Sequence, residues 1–165
     1  MTVISTHKDT ENLTLTFVAE FAADVERVWR IWEDPRQLER WWGPPTWPAT
    51  FTRHELRPGG RSHYFMTGPE GEKAHGWWVT TLIRPTDRLE FEDGFADENG
   101  EPTGELGVTR AVVTLDELGG RTRMTTVSTF ESPEQMEQMV AMQMEEGMRQ
   151  AQGQIDAILA ESVRA

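Results

Sequence analysis

The chain has 165 residues, 16 basic against 28 acidic side chains for a net charge of −12, and no cysteine. That length supports one domain with a substantial core, and the acidic balance excludes nucleic acid as the main partner, because phosphate binding needs clustered Lys and Arg. The lack of cysteine excludes disulfides and thiolate catalysis and makes a cytoplasmic address the default. No window approaches ~18 consecutive apolar residues, so no membrane span is expected. The opening MTVISTHKDTENLTLTF lacks the charged and apolar segments of a secretory signal.

Residues 1–12 read as an N-terminal tail and residues 13–161 as a single domain. Leu13, Leu15 and Phe17 alternate with Thr14 and Thr16, the period-two pattern of a half-buried strand running to about Phe21. Asp24 is a good N-cap, and Val25, Val28, Trp29 and Trp32 follow at helical spacing. Asp34-Pro35 ends that helix and opens a second, whose apolar face is Leu38, Trp41 and Trp42. Gly43-Pro44-Pro45 then forces a stop. Large aromatics are rarely spent on a solvent loop, since each buries ~150–250 Å². This tryptophan–proline segment therefore reads as a plug at one end of a core.

Between Thr46 and Phe130 the turn signals come at hairpin intervals: Pro58-Gly59-Gly60, Gly68-Pro69-Glu70-Gly71, Arg84-Pro85-Thr86-Asp87 and Leu118-Gly119-Gly120. Short turns between strands predict an antiparallel meander. The acidic stretch from Ala96 to Glu105 is expected to be an exposed loop. A long helix closes the chain, capped by Ser132 with Pro133 in its first turn. Met136, Val140, Gln143, Met144, Gly147, Met148, Ala151, Ile155, Ile158 and Leu159 recur at spacings of three and four. They predict one continuous helix of roughly 25–30 residues, about 40 Å long, lying across the sheet. Gln143 within that apolar face needs a hydrogen-bond partner. Gly147 costs ~1 kcal/mol relative to Ala inside a helix, which marks a close approach or a kink.

The motifs resemble those of a known family. Val28-Trp29, Asp34-Pro35, Trp41-Trp42-Gly43-Pro44 and Glu55-Leu56-Arg57-Pro58-Gly59-Gly60 are similar to the SRPBCC superfamily, in its bacterial branch related to the activator of heat-shock-protein ATPase. Tyr64-Phe65-Met66, Pro85-Thr86-Asp87-Arg88-Leu89 and Gly119-Gly120-Arg121-Thr122 continue the match. The resemblance implies an α+β helix-grip fold: a six- to seven-stranded curved antiparallel sheet around a long C-terminal helix, with two short helices closing one end. Three positions depart from the family pattern, with Glu55 in place of Asp, Ser62 in place of an aromatic and Met148 in place of Trp. Two of these replace an aromatic by something smaller or more flexible, which implies a roomier or more deformable cavity.

No Ser-His-Asp order, phosphate-cradling loop or paired-carboxylate signature stands out, so no catalytic residues, cofactor or metal are assigned. His54, His63 and His75 fall on successive strands, but strand parity does not converge them on a metal. Asp97-Glu98-Asn99-Gly100 lacks the spacing of a calcium loop. The expected function is binding of a small apolar or amphipathic molecule between the last helix and the sheet. Trp41, Trp42, Tyr64, Trp78, Met124, Met136, Val140, Gln143 and Met144 are the expected lining, with Tyr64 and Gln143 as polar handles. The resemblance leaves two alternatives, a chaperone partner bound at the surface and an enzyme acting within the cavity; it leaves monomer and homodimer both open and favours the homodimer.

Overall fold

The computed structural model describes residues 3–162. Eight strands form one fully antiparallel sheet: β1 (Val3–Asp9), β2 (Thr14–Phe21), β3 (Ala49–His54), β4 (Arg61–Thr67), β5 (Lys73–Arg84), β6 (Arg88–Phe95), β7 (Thr109–Leu118) and β8 (Arg121–Thr129). Their order across the sheet is β1-β2-β8-β7-β6-β5-β4-β3. Two short helices, α1 (Val25–Glu33) and α2 (Pro35–Leu38), lie between β2 and β3. Three more, α3 (Pro133–Ala141), α4 (Met144–Gln152) and α5 (Ile155–Ser162), end the chain. This is the helix-grip fold, with one strand more than the six or seven expected.

The extra strand is β1, in the segment read as a tail. It pairs with β2 along its whole length, from Val3 opposite Glu20 to Asp9 opposite Thr14. The Asp9 carboxylate accepts hydrogen bonds from the backbone N–H of Glu11 at 3.0 Å and of Asn12 at 3.1 Å, which closes the hairpin. Its sequence hides it because an edge strand needs little apolar content: of Ile4, Ser5, Thr6 and His7, only Ile4 and Thr6 are even half-buried. Met1 and Thr2 lie outside the described residues.

The caps fall where expected. Asp24 accepts from the Arg27 N–H at 2.8 Å, Asp34 from that of Arg36 at 2.9 Å, and Ser132 from that of Gln135 at 3.0 Å. The last helix, however, is broken. Gln143 adopts a left-handed conformation (φ 62°), which separates α3 from α4, and a second interruption at Gly153 separates α4 from α5. The apolar periodicity runs through both breaks because all three segments face the same sheet. α3 packs Met136 and Met139 on Leu15, Phe17 and Phe130, whereas α5 sends Ile155, Ile158 and Leu159 into the main core.

Polar contacts tie the short helices to the rest. The Arg36 guanidinium donates to the Phe51 carbonyl at 2.7 Å, and Glu39 accepts from the Phe51 N–H at 2.8 Å. The Gln154 amide donates to the Gly43 carbonyl at 2.7 Å, and Arg40 pairs with Glu161. The tryptophan–proline turn is thereby anchored on one side to β3 and on the other to the α4–α5 region.

Candidate functional site

At the end of the sheet nearest α1 and α2 the interior is solid with aromatic rings. Trp32, Trp41 and Trp78 are almost completely buried. Ring centroids stand 4.8 Å apart for Trp32–Trp41, 4.7 Å for Trp42–Trp78 and 4.1 Å for the stacked Trp78–Phe91 pair. The Trp41 indole donates to the Ile31 carbonyl at 3.0 Å, and the Trp32 indole donates to the Met124 sulfur at 3.3 Å. Trp41, Trp78 and Met124, expected as cavity lining, are instead packed core. With their volume filled by neighbouring rings, they have no space to face.

Toward the other end the same inner face opens into a cavity of about 270 Å³. Its floor is Phe91, Asp93, Ala111 and Thr126 on β6, β7 and β8, and its side wall is Tyr64 and Met66 on β4. Met139, Met144, Gly147 and Met148 of α3 and α4 cover it. Trp42 and Pro44 form one lip of the mouth, and Met142 and Gln143, at the α3–α4 break, form the other. Gly76 fixes the tyrosine: a Cβ at that position would lie 2.3 Å from the Tyr64 ring, so only glycine lets the phenol lie flat on β5. Gly147 is neither a close approach nor the kink. A Cβ there would meet nothing within 4 Å, so the missing side chain leaves space in the cover.

Four expected lining residues thus come together around the cavity: Trp42, Tyr64, Gln143 and Met144. Met136 and Val140 do not join them. They line a separate groove of about 310 Å³ between the β1–β2 turn and the start of α3, whose other walls include the exposed Lys8, Thr10, Pro133 and Glu137. Gln143 is not buried within a helical face; it is exposed at the mouth, because the left-handed turn carries it out of the helix.

Tyr64 was expected among the inner polar groups, whereas Asp93 and Thr126 are ones that sequence reasoning missed. Asp93 stands opposite Trp78 on β5 and Thr109 on β7, both buried, so its side chain shares their inward face. Desolvation alone pushes its carboxyl up to about 7. Burial, with Asp93 nearby, also raises the Tyr64 hydroxyl above its ordinary value, while the adjacent Trp42 indole pulls weakly the other way. The Thr126 hydroxyl and the Trp42 indole N–H are buried without a well-formed hydrogen bond among the described residues. A signal for Asp93 did exist. In Arg88–Phe95, Leu89, Phe91, Asp93 and Phe95 share one strand parity and Glu90 and Glu92 the other, so a carboxyl sits on the apolar side.

The histidines do not form a metal centre among the described residues. His54 bonds Ser62 and the Trp32 carbonyl, each at 2.8 Å, and burial depresses its pKa. Ser62 is accordingly buried in a polar contact beside the packed end. Met148, the other position where the family pattern has an aromatic, is part of the cavity cover. His63 and His75 contact each other at 3.1 Å on the outer face of the sheet.

The family model described as Activator of Hsp90 ATPase homolog 1-like protein matches residues 22–160. A solution structure from Arthrobacter aurescens is 65% identical with a TM-score of 0.91, covering 95% of this chain and 91% of that one. A crystal structure from Mycobacterium smegmatis is 49% identical with a TM-score of 0.88, covering 95% and 97%. One from Rhodobacter sphaeroides is 25% identical with a TM-score of 0.82, covering 98% and 99%. None of the curated proteins matches the chain. With the family match spanning most of its length, and with the expected helix-grip fold in place, the chain belongs to the Activator of Hsp90 ATPase homolog 1-like family.

Proposed function

We propose that the protein binds a small apolar or amphipathic molecule in the cavity between the α3–α4 break and the sheet. The observation that carries this reading is the cavity itself: about 270 Å³ walled by aromatic rings and thioethers, with Asp93, Thr109, Thr126 and Ser128 on its sheet side. That volume lies just below the roughly 300–1,000 Å³ of drug-sized sites, which favours a compact ligand with one ring or a short chain. Burying about 200 Å² of apolar ligand surface at ~25 cal/mol per Å² gives a ceiling of about 5 kcal/mol from the walls. This corresponds to a dissociation constant of roughly 0.1–1 mM, which specific polar contacts would tighten. Methionine suits such a role because its unbranched thioether adapts to different shapes.

The alternative, a module that recruits a chaperone through its surface, calls for an exposed apolar patch. Among the described residues the exposed large hydrophobics are Leu82 and Met142 alone, and Met142 stands at the cavity mouth. This distribution favours enclosure over surface docking. Calorimetric titration with 3-phenylpropanol, a neutral probe of suitable size, tests the reading. Saturable binding to the native protein and its loss in Gly147→Phe, with the melting temperature retained, are expected. Failure of the native protein to bind would overturn it.

A further inference from the structure

The proposed binding role leaves open what kind of molecule the cavity would select, and the chemistry of its walls bears on that. Asp93 is the one Asp, Glu, Lys or Arg among the described lining residues. His75 contributes to the wall, but its imidazole turns to the outer face and stacks on His63. Among the described residues no cation is paired with the Asp93 carboxyl, whose pKa is raised by desolvation. The groups facing it from neighbouring elements are Tyr64 on β4, Trp78 on β5, Thr109 on β7 and Thr126 on β8, with the thioethers of α3 and α4 above. None of these carries positive charge.

The rings around this carboxyl complete the picture. Trp42 stands 5.9 Å from Tyr64 and 6.4 Å from Phe91, centroid to centroid, and all three line the cavity. Aromatic faces attract cations through their quadrupoles, most strongly where water is excluded. A carboxylate among such faces attracts an ammonium twice over and repels an anion. The chain's net charge of −12 also raises the local concentration of cations.

We infer that the cavity selects a small organic amine, its apolar body among the methionines and its ammonium against Asp93, between the rings of Trp42, Tyr64 and Phe91. The inference rests on the binding role proposed above. A bound ammonium supplies the charge partner that this half-buried, inward-facing carboxyl lacks among the described residues, and it favours the ionised form of Asp93. Amine binding is therefore coupled to proton release and weakens as Asp93 becomes protonated.

Three probes with one phenylpropyl body separate the possibilities: 3-phenylpropylammonium, 3-phenylpropanol and 3-phenylpropanoate. They are titrated calorimetrically into the native protein and into Asp93→Asn at pH 8, and into the native protein at pH 5.5. At pH 8 the ammonium is expected to bind the native protein about tenfold more tightly than the alcohol, with the carboxylate weakest. That preference should shrink to about twofold or less in Asp93→Asn, and likewise in the native protein at pH 5.5. The pH 5.5 arm decides the matter if Asp93→Asn does not fold. Alcohol binding with no preference for the ammonium at pH 8, or a preference that survives the substitution or the lower pH, would overturn the amine inference and leave the cavity reading standing. Absence of binding by all three would overturn both.

Discussion

The two ends of the sheet's inner face share the same strands yet differ in kind, and a step of two residues crosses from one to the other. On β5 the step runs from Trp78 to Gly76, on β6 from Phe91 to Asp93, and on β8 from Met124 to Thr126. The first of each pair belongs to the packed core, Phe91 reaching the cavity floor as well, and the second lies on the open side, Gly76 beneath the lining Tyr64. The backbone is continuous, so the hollow comes from side-chain volume: glycine under Tyr64, alanine and threonine on the floor, and glycine again in the cover. The broken helix completes it, since the left-handed turn at Gln143 lifts the α3–α4 junction into a lip. One end of the fold supplies stability and the other supplies space.

The sharpest way to break this contrast is to truncate a side chain at each end. Trp41→Ala, in the solid end, is expected to lose about 3–5 kcal/mol in urea unfolding. Met144→Ala, beside empty volume, should lose less than about 2 kcal/mol, because the truncated atoms had fewer neighbours to lose. Equal losses at the two sites would erase the distinction.

The next largest effect is in pH dependence. Asp93 has a folded pKa of about 7, against an ordinary value near 3.8. The folded state therefore holds this proton more tightly than the unfolded state does. Its contribution to stability is intact below about pH 4, falls as the pH rises, and is lost above about pH 7. His54 and His63 act oppositely in the upper part of that range, since burial depresses their pKa values and the folded state resists their protonation. The stability difference between native protein and Asp93→Asn isolates the carboxyl, and it should move in favour of Asp93→Asn between pH 5 and pH 8. A difference flat with pH would contradict a desolvated Asp93 carboxyl with no cation beside it among the described residues.

Smaller effects belong to the cover. Gly147→Ala should raise stability by about 1 kcal/mol, since a methyl group meets no obstacle and the helix gains propensity. Gln143→Gly should gain about 0.5–1 kcal/mol, because glycine adopts the left-handed conformation without the steric cost borne by a side chain. Both are read from denaturant midpoints.

Much of the fold was legible in the sequence because turns and caps are local. Asp24, Asp34 and Ser132 announce three helices, and the Gly-Pro clusters announce the hairpins. β1 was hidden because an edge strand need not alternate strongly. The helix breaks were hidden because periodicity reports which face is buried and is indifferent to an interruption that keeps the same face inward. The cavity was half legible. Trp42, Tyr64, Gln143 and Met144 were recognisable as aromatic or adaptable residues near the plug and the last helix. Trp41, Trp78 and Met124 carry the same chemical signature, and only three-dimensional packing separates a wall from a filling. Asp93 was overlooked among the surrounding acids, although strand parity set it apart from Glu90 and Glu92.

Methionine methyl NMR offers the most direct test, since these side chains report on both ends of the inner face. With methyl-¹³C methionine, titration with 3-phenylpropanol is predicted to shift Met66, Met139, Met144 and Met148 along one saturable curve while Met124 stays fixed. Shifts confined to Met136, beside the outer groove, or no saturable shift in Met66, Met139, Met144 and Met148, would contradict the account.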